Sequence, residues 1–337
     1  MLDTLKNLCL CAGVTGNEAK IAELITSLAS PYADECHVDK MGNVTVCKRG
    51  KSKEKKIAFV TRMDIAGYTV THIEENGRVR FCAHGKQSTL SLAYSTVTFD
   101  SGICGIALPD TPSAKEFKAE EMYIDVGCSK KEDAEKVVSL GDTFTEAMHF
   151  TSLQDGKIAS HSLDCRIGCA LLLQAIREDA IPFYDTYFIF CAQGNFAQRG
   201  ARAAMFPINA DIIVSLDVSS SEREENKHLP AVAVGKGAAV LLKDALSISS
   251  EALVNLLRDI AKEKGLALQN EFSKTSSSDG SSMQACCEGC ALCAITVPLS
   301  HRATGAQVAS IRDIEGAYTL LSTLYKSNFT EITGETK

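Results

Sequence analysis

Four points along the chain set polar side chains directly after an apolar run, where an α/β protein brings its chemistry together: Arg62 and Asp64, Gln193 to Asn195, Asp217, and His301. Asp164, at the head of a helix, makes a fifth. In open α/β sheets ligands bind beyond the carboxyl ends of the strands. Carboxylates arriving there from separate elements suggest a hydrolytic metal site, because a dinuclear centre draws oxygen and imidazole ligands from several segments. On the residues alone, solvated or helix-capping acids account for the same pattern. Two further clusters carry chemistry-bearing types. Cys286-Cys287-Glu-Gly-Cys290-Ala-Leu-Cys293 has metal-like or redox-like spacing, although four-cysteine sites generally use two separated knuckles. Core or incidental thiols are the plainer reading. The loop Lys274 to Ser282 would either receive an anion at a helix start or simply cap that helix through Ser278 or Asp279. No base accompanies its serines, so a nucleophilic serine has little support.

The elements that must position these residues read as two kinds of sequence. Helices are expected over Leu2 to Cys11 and Asn17 to Leu28, followed by strands Val44 to Lys48 and Lys56 to Arg62, the latter nearly continuous in apolar residues. From Gly67 to about Phe150 the pattern changes to short alternating strands. It begins with a hairpin from Tyr68 to Phe81 that turns at Glu75-Asn-Gly77. A helix is expected at the capping box Ser129-Lys-Lys-Glu132. Helix/strand alternation resumes at Ser162: helix 162–178, strand 186–192, helix 196–205, strands 211–217 and 237–243, helix 249–264, strand 267–272, helix 280–288, strand 292–297 and helix 311–326. The fold class is therefore α/β, a mixed sheet flanked by helices (1–65 plus 155–337), with an inserted small β-rich domain at 66–154.

The chain has 337 residues, enough for two domains, with 45% hydrophobic and 23% charged residues. Its net charge of −7 argues against a nucleic-acid-binding surface. No apolar run reaches eighteen residues, so no membrane span is expected. The acidic Asp3 ahead of the short apolar stretch Leu8 to Val14 makes a poor signal peptide, and a cytoplasmic location is expected. The 14 cysteines are expected to be free thiols, most of them small core residues.

Several blocks, in order, resemble the family-42 metallopeptidases, dinuclear aminopeptidases that include glutamyl aminopeptidase and the so-called endoglucanase M. Gly13-Val-Thr-Gly-Asn-Glu18 resembles G-P-S-G-Y-E, and Val38-Asp-Lys-Met-Gly-Asn43 resembles V-D-K-L-G-N. Asp125 to Ala134 resembles D-I-G-A-S-S-K-E-E-A; Gln198 to Arg202 and Ser310 to Glu315 also fit. The resemblance implies the zinc-aminopeptidase fold and a homo-oligomer assembled through the inserted domain, commonly a tetrahedral dodecamer. It also implies ligand positions, and here the chain departs. Arg62 replaces the metal-binding His of H-M-D-E. Asp164 keeps the bridging Asp of L-D-D-R, with Cys165 beside it. Gly194 falls at the general base of Q-E-E and Asn195 at its ligand. Asp217 keeps the ligand of A-L-D, and Ala303 falls at the His of I-H-S-P. Asp279 matches the aspartate of T-D-A.

A guanidinium cannot ligate a metal, and Gly194 has no side chain to act as base. Arg62 is expected instead to pair, with a bidentate fork if geometry allows, with Asp164 and Asp217. The expectation is a family homologue that has lost two-metal peptide hydrolysis, has no cofactor, and serves as a binding protein for a peptide or small molecule or as a scaffold. The alternative is an active aminopeptidase that removes N-terminal residues using zinc or cobalt held by displaced ligands drawn from His161, His301, Asp64, Cys165 and Asn195. A two-residue offset usually moves a side chain too far for ligation, so His161 and His301 are expected to be satisfied, non-ligating histidines.

Overall fold

The computed structural model describes residues 1–84, 89–112, 117–221, 230–274, 277–302 and 304–328. Four parallel strands form the centre of an 11-stranded mixed sheet, in the order Tyr184–Cys191, Ser52–Arg62, Ile212–Ser220, Ala291–Ser300. These are the near-continuous apolar runs of the sequence, and their composition follows from burial on both faces. Along Ser52–Arg62, Phe59 faces one side with Phe188, Val214 and the helices Leu163–Ile176 and Ile311–Lys326. Ala58 and Val60 face the other side, against Ala201, Met205 and Met283. Antiparallel strands complete the edges, Val44–Lys48 and Glu35–Val38 on one side and Gln307–Ser310, Lys157–Ser160 and Phe150–Ser152 on the other. Ala238–Lys243 pairs antiparallel with Ala291–Ser300 and parallel with Leu268–Phe272.

The insertion closes into a six-stranded antiparallel barrel, which leaves no unpaired strand edge. Its core contains an aromatic cluster among aliphatic side chains such as Val79, Val97 and Ile124. The Phe144 ring lies 5.2 Å from Tyr68, 5.3 Å from Phe81 and 5.0 Å from Phe99, distances at which offset and edge-on ring pairs attract.

Several expectations need correction. The expected capping box does not form: the single-turn helix Lys131–Ala134 has Lys130 at its N-cap with no side-chain cap bond. The helix expected over 280–288 is Asp279–Gln284, because the chain turns at Cys286 to Gly289. Fewer cysteines are buried than composition suggests. Cys9, Cys47, Cys165, Cys169, Cys191 and Cys293 are buried, whereas Cys82, Cys104 and Cys287 are exposed; all are free thiols. No helix among the described residues is long and apolar enough to cross a membrane.

The last helix is tied down by Glu178, which follows Leu163–Ile176 and accepts from the Tyr318, Ser322 and Tyr325 hydroxyls and from Lys326. Burial alone would raise its pKa, but those four donors outweigh burial and hold it down at about 2. A depressed folded pKa contributes stability above the unfolded carboxyl value that is lost as pH falls through the folded one. The melting temperature of the wild type should therefore fall steadily from about pH 4.5 to pH 2, and Glu178→Gln should be destabilised at neutral pH with a flatter acid limb. Parallel melting curves for the two proteins across that range check this.

Candidate functional site

Because the four central strands run parallel, their carboxyl ends deliver side chains to one crevice. Arg62 closes Ser52–Arg62 opposite Cys191, and Asp217 lies near the end of Ile212–Ser220 opposite Thr296. Asp164 enters from the first turn of Leu163–Ile176. Arg62 Nη2 lies 3.5 Å from Asp164 Oδ2 and 3.9 Å from Asp217 Oδ1, and Nη1 lies 3.4 Å from Asn195 Oδ1. A bidentate fork does not form; one nitrogen is shared between two acids. Arg302, absent from the sequence-based expectation, brings its own Nη2 to 3.8 Å from the same Asp217 oxygen. Two guanidinium groups thus face two aspartates. Burial would lower the pKa of Arg62, but Asp217 and Asp164 outweigh it and hold the pKa raised, so the cation is permanent.

Asp64 has a different job from the one its position suggested. It is fully buried, and its carboxylate accepts the backbone N–H groups of Gly194 (2.7 Å) and Asn195 (2.9 Å), the Thr15 hydroxyl (2.7 Å) and Asn195 Nδ2 (3.1 Å). The 193–195 loop is thereby clamped onto the strand end. It sits so close that a Cβ on Gly194 would lie 2.8 Å from both Arg62 Cβ and Asp64 Oδ1. No side chain fits at position 194 without moving the backbone.

The remaining expected residues divide. Asp279 shares a small cavity with Arg62, Gly194 and Asp217, and its Oδ1 has no hydrogen-bond partner. Burial pushes its carboxyl up to about 8 against the opposing charge of Arg62. Cys165 is buried and donates to the Ser162 carbonyl at 3.3 Å. His161 is not satisfied, contrary to expectation: both ring nitrogens are enclosed without a partner. Burial, reinforced by Arg166 and His149, lowers its pKa to about 4. His301 is exposed just past Ala291–Ser300, and Ala303 lies outside the described residues. Ser278 caps its helix, accepting from the Ser281 N–H. The cysteine cluster splits, with Cys286 and Cys290 against the smaller core, Cys293 in the main one and Cys287 exposed. Among the described residues no three His, Cys, Asp or Glu side chains converge as a metal-binding group.

Sequence reasoning also missed Glu146, the last residue of the barrel strand Thr143–Glu146. It reaches the crevice from the inserted domain beside His161, Asp164 and Arg302. Only the strand-like character read over 67–150 covers it; no strand was expected at Thr143–Glu146.

Comparison with known proteins identifies the family of this fold. The profile of the M42 glutamyl aminopeptidase family matches residues 42–320. A protein of Acetivibrio thermocellus carrying an aminopeptidase assignment is 33% identical over 323 residues, covering 95% of this chain and 97% of its own. Lysyl aminopeptidase of Pyrococcus furiosus is 26% identical over 336 residues, covering 96% of each. Among solved structures, the TET aminopeptidase of a marine-sediment thaumarchaeon superposes with a TM-score of 0.92 at 25% identity, covering 98% of each chain. The Pyrococcus horikoshii TET1 peptidase gives 0.87 at 24% identity, covering 97% of this chain and 99% of that one. The chain belongs to the M42 glutamyl aminopeptidase family.

Proposed function

We propose that this family member uses its crevice to bind a peptide or small molecule and does not carry out two-metal hydrolysis. The observation that carries this is Arg62, whose guanidinium reaches toward both Asp164 and Asp217. In this reading the two aspartates are the retained ligand positions, and Arg62, Asn195 and Ala303 occupy the others. The donor set does not fit a dinuclear centre. A catalytic metal is held by about three protein ligands, and two carboxylates already facing two arginines supply too few. The amide of Asn195 is engaged with Arg62 and Asp64, and Gly194 offers no base. Without a base, about 10²–10⁴-fold in rate is forfeited even if a metal were retained.

A second reading is favoured by the relatives, which are named as aminopeptidases and match nearly end to end. In it the chain removes N-terminal residues from peptides with zinc or cobalt held by displaced ligands. Family membership favours this second reading, and the geometry around Arg62 favours the first. Metal content of protein purified without chelator, read with turnover of a panel of aminoacyl chromogenic amides in added zinc or cobalt, separates them. The expected result is no stoichiometric metal and no turnover; two metals with robust turnover would establish the second. Arg62→His alone should restore no turnover, since position 194 still lacks a base. A homo-oligomer is also proposed, supported by the TET1 peptidase, whose chains assemble into a tetrahedron or an octahedral shell. Light scattering on the eluting protein tests it.

A further inference from the structure

The link from the helix Asp279–Gln284 to the strand Ala291–Ser300 carries Cys286, Cys287 and Cys290. It folds back on itself: the Gly289 N–H donates to the Cys286 carbonyl at 3.0 Å, and the Cys290 N–H reaches back to the Gln284 carbonyl at 3.2 Å. The reversal falls between Cys287 and Cys290, which have the spacing of a Cys-x-x-Cys dithiol. Cys287 is held at φ 55°, a left-handed conformation that is costly for a residue with a side chain and that clusters at functional and switch regions. Its thiol is exposed, whereas Cys286 and Cys290 are half-buried against the smaller core. The three sulfurs are only loosely engaged. Each has a long contact with a backbone carbonyl: Cys286 with Ser282 at 3.6 Å, Cys287 with Phe206 at 3.8 Å and Cys290 with Gln284 at 3.9 Å. Burial, and after it the neighbouring Cys286, Asp211 and Cys287, push the Cys290 thiol up to about 12. A metal does not account for the cluster, since no three His, Cys, Asp or Glu side chains among the described residues converge as a metal-binding group.

We propose that this turn is a thiol–disulfide exchange site, in which Cys287 opens a small disulfide and Cys290 closes an internal bond. Cys287, the exposed sulfur, attacks one sulfur of the small disulfide as a thiolate and forms a mixed disulfide. The first small thiolate leaves and takes up the proton that Cys287 gave. Cys290 then attacks the Cys287 sulfur, the bond from Cys287 to the small molecule breaks, and the second small thiolate takes the Cys290 proton. Two protein thiols are oxidised to one disulfide while one small disulfide is reduced to two thiols. Cys286 is not the closing partner, because adjacent cysteines join only by straining the peptide bond between them. The new bond pins the turn that follows the helix bringing Asp279 beside Arg62 and Asp217. The site stands apart from whatever the crevice binds or hydrolyses.

Incubating the intact protein with oxidised glutathione, then alkylating in denaturant, digesting with trypsin and weighing the peptides tests this. Cleavage after Lys274 and Arg302 isolates the three cysteines together with Cys293. In the wild type that peptide should lose two alkylatable thiols. Glutathione should remain on less than about a tenth of it, because a thiol tethered this closely acts at an effective concentration of about millimolar or more. Cys287→Ser should slow the loss about tenfold or more, since burial holds the thiols of Cys286 and Cys290 up and leaves them less thiolate. Cys290→Ala should stop with glutathione on Cys287, and Cys286→Ser should react like the wild type. The exposed barrel thiols Cys82 and Cys104 mark the rate of simple adduct formation in the same samples. Glutathione that stays on Cys287 of the wild type, closure at the wild-type rate in Cys287→Ser, or closure lost in Cys286→Ser overturns the proposal. Cys287→Ser alters an exposed side chain and keeps the test decisive should Cys290→Ala fail to fold.

Discussion

Arg62→Met should destabilise the protein by about 3 kcal/mol, the lower end of what removing one partner of a buried ion pair costs. The Arg62 side chain is 17% exposed and those of Asp164 and Asp217 are 24% and 15% exposed, so solvent does little to replace the lost charge. Arg302 remains, but it reaches only Asp217. Asp164 would be left partly buried with neither its long ion pair nor a substitute. The loss should be recovered largely by adding Asp164→Asn, because deleting both charges removes the penalty along with the attraction. Denaturant unfolding of the two single variants and the double variant provides the cycle. A cost below about 0.5 kcal/mol for Arg62→Met would mean the guanidinium neutralises nothing. The same variant should bind a divalent cation more tightly than the wild type does, since it keeps the two acids and loses the competing charge.

Gly194→Glu, which supplies a carboxylate where the family pattern has its base, should fail twice over. The new Cβ would press on Arg62 Cβ and Asp64 Oδ1, both 2.8 Å away. Overpacking of this kind costs about 1–3 kcal/mol. The added carboxylate would also meet Asp64, whose charge already anchors the loop through two backbone N–H groups. Melting should fall and turnover should stay at background, even in Arg62→His. Gly194→Ala separates the two effects, retaining the steric cost without the charge. A Gly194→Glu protein as stable as the wild type would show that the loop is less tightly clamped than Asp64 implies.

What could be read from the sequence followed how strongly each segment's burial was written into it. The stretches 57–61 and 212–216 are buried on both faces, so the strand ends that follow them, and with them Arg62 and Asp217, could be placed. The short strands Glu35–Val38, Phe150–Ser152 and Gln307–Ser310 have three or four residues each, too few for an alternation to register. Arg302 and Glu146 escaped for a different reason. Each is an ordinary charged residue in its own segment and acquires meaning only when the barrel and the sheet meet. Cys82 and Cys104 were misjudged by residue type, since both point outward on barrel strands. Lys131 N–H bonds the Glu75 carbonyl across the barrel, and with Lys130 at the N-cap no capping box closes around Ser129.

A crystal soaked in zinc and measured at the zinc absorption edge would test the site most directly. The expected map shows the Arg62 guanidinium between Asp164 and Asp217 and no anomalous peak beside it. Two strong peaks bridged by those aspartates, with the arginine swung aside, would contradict it.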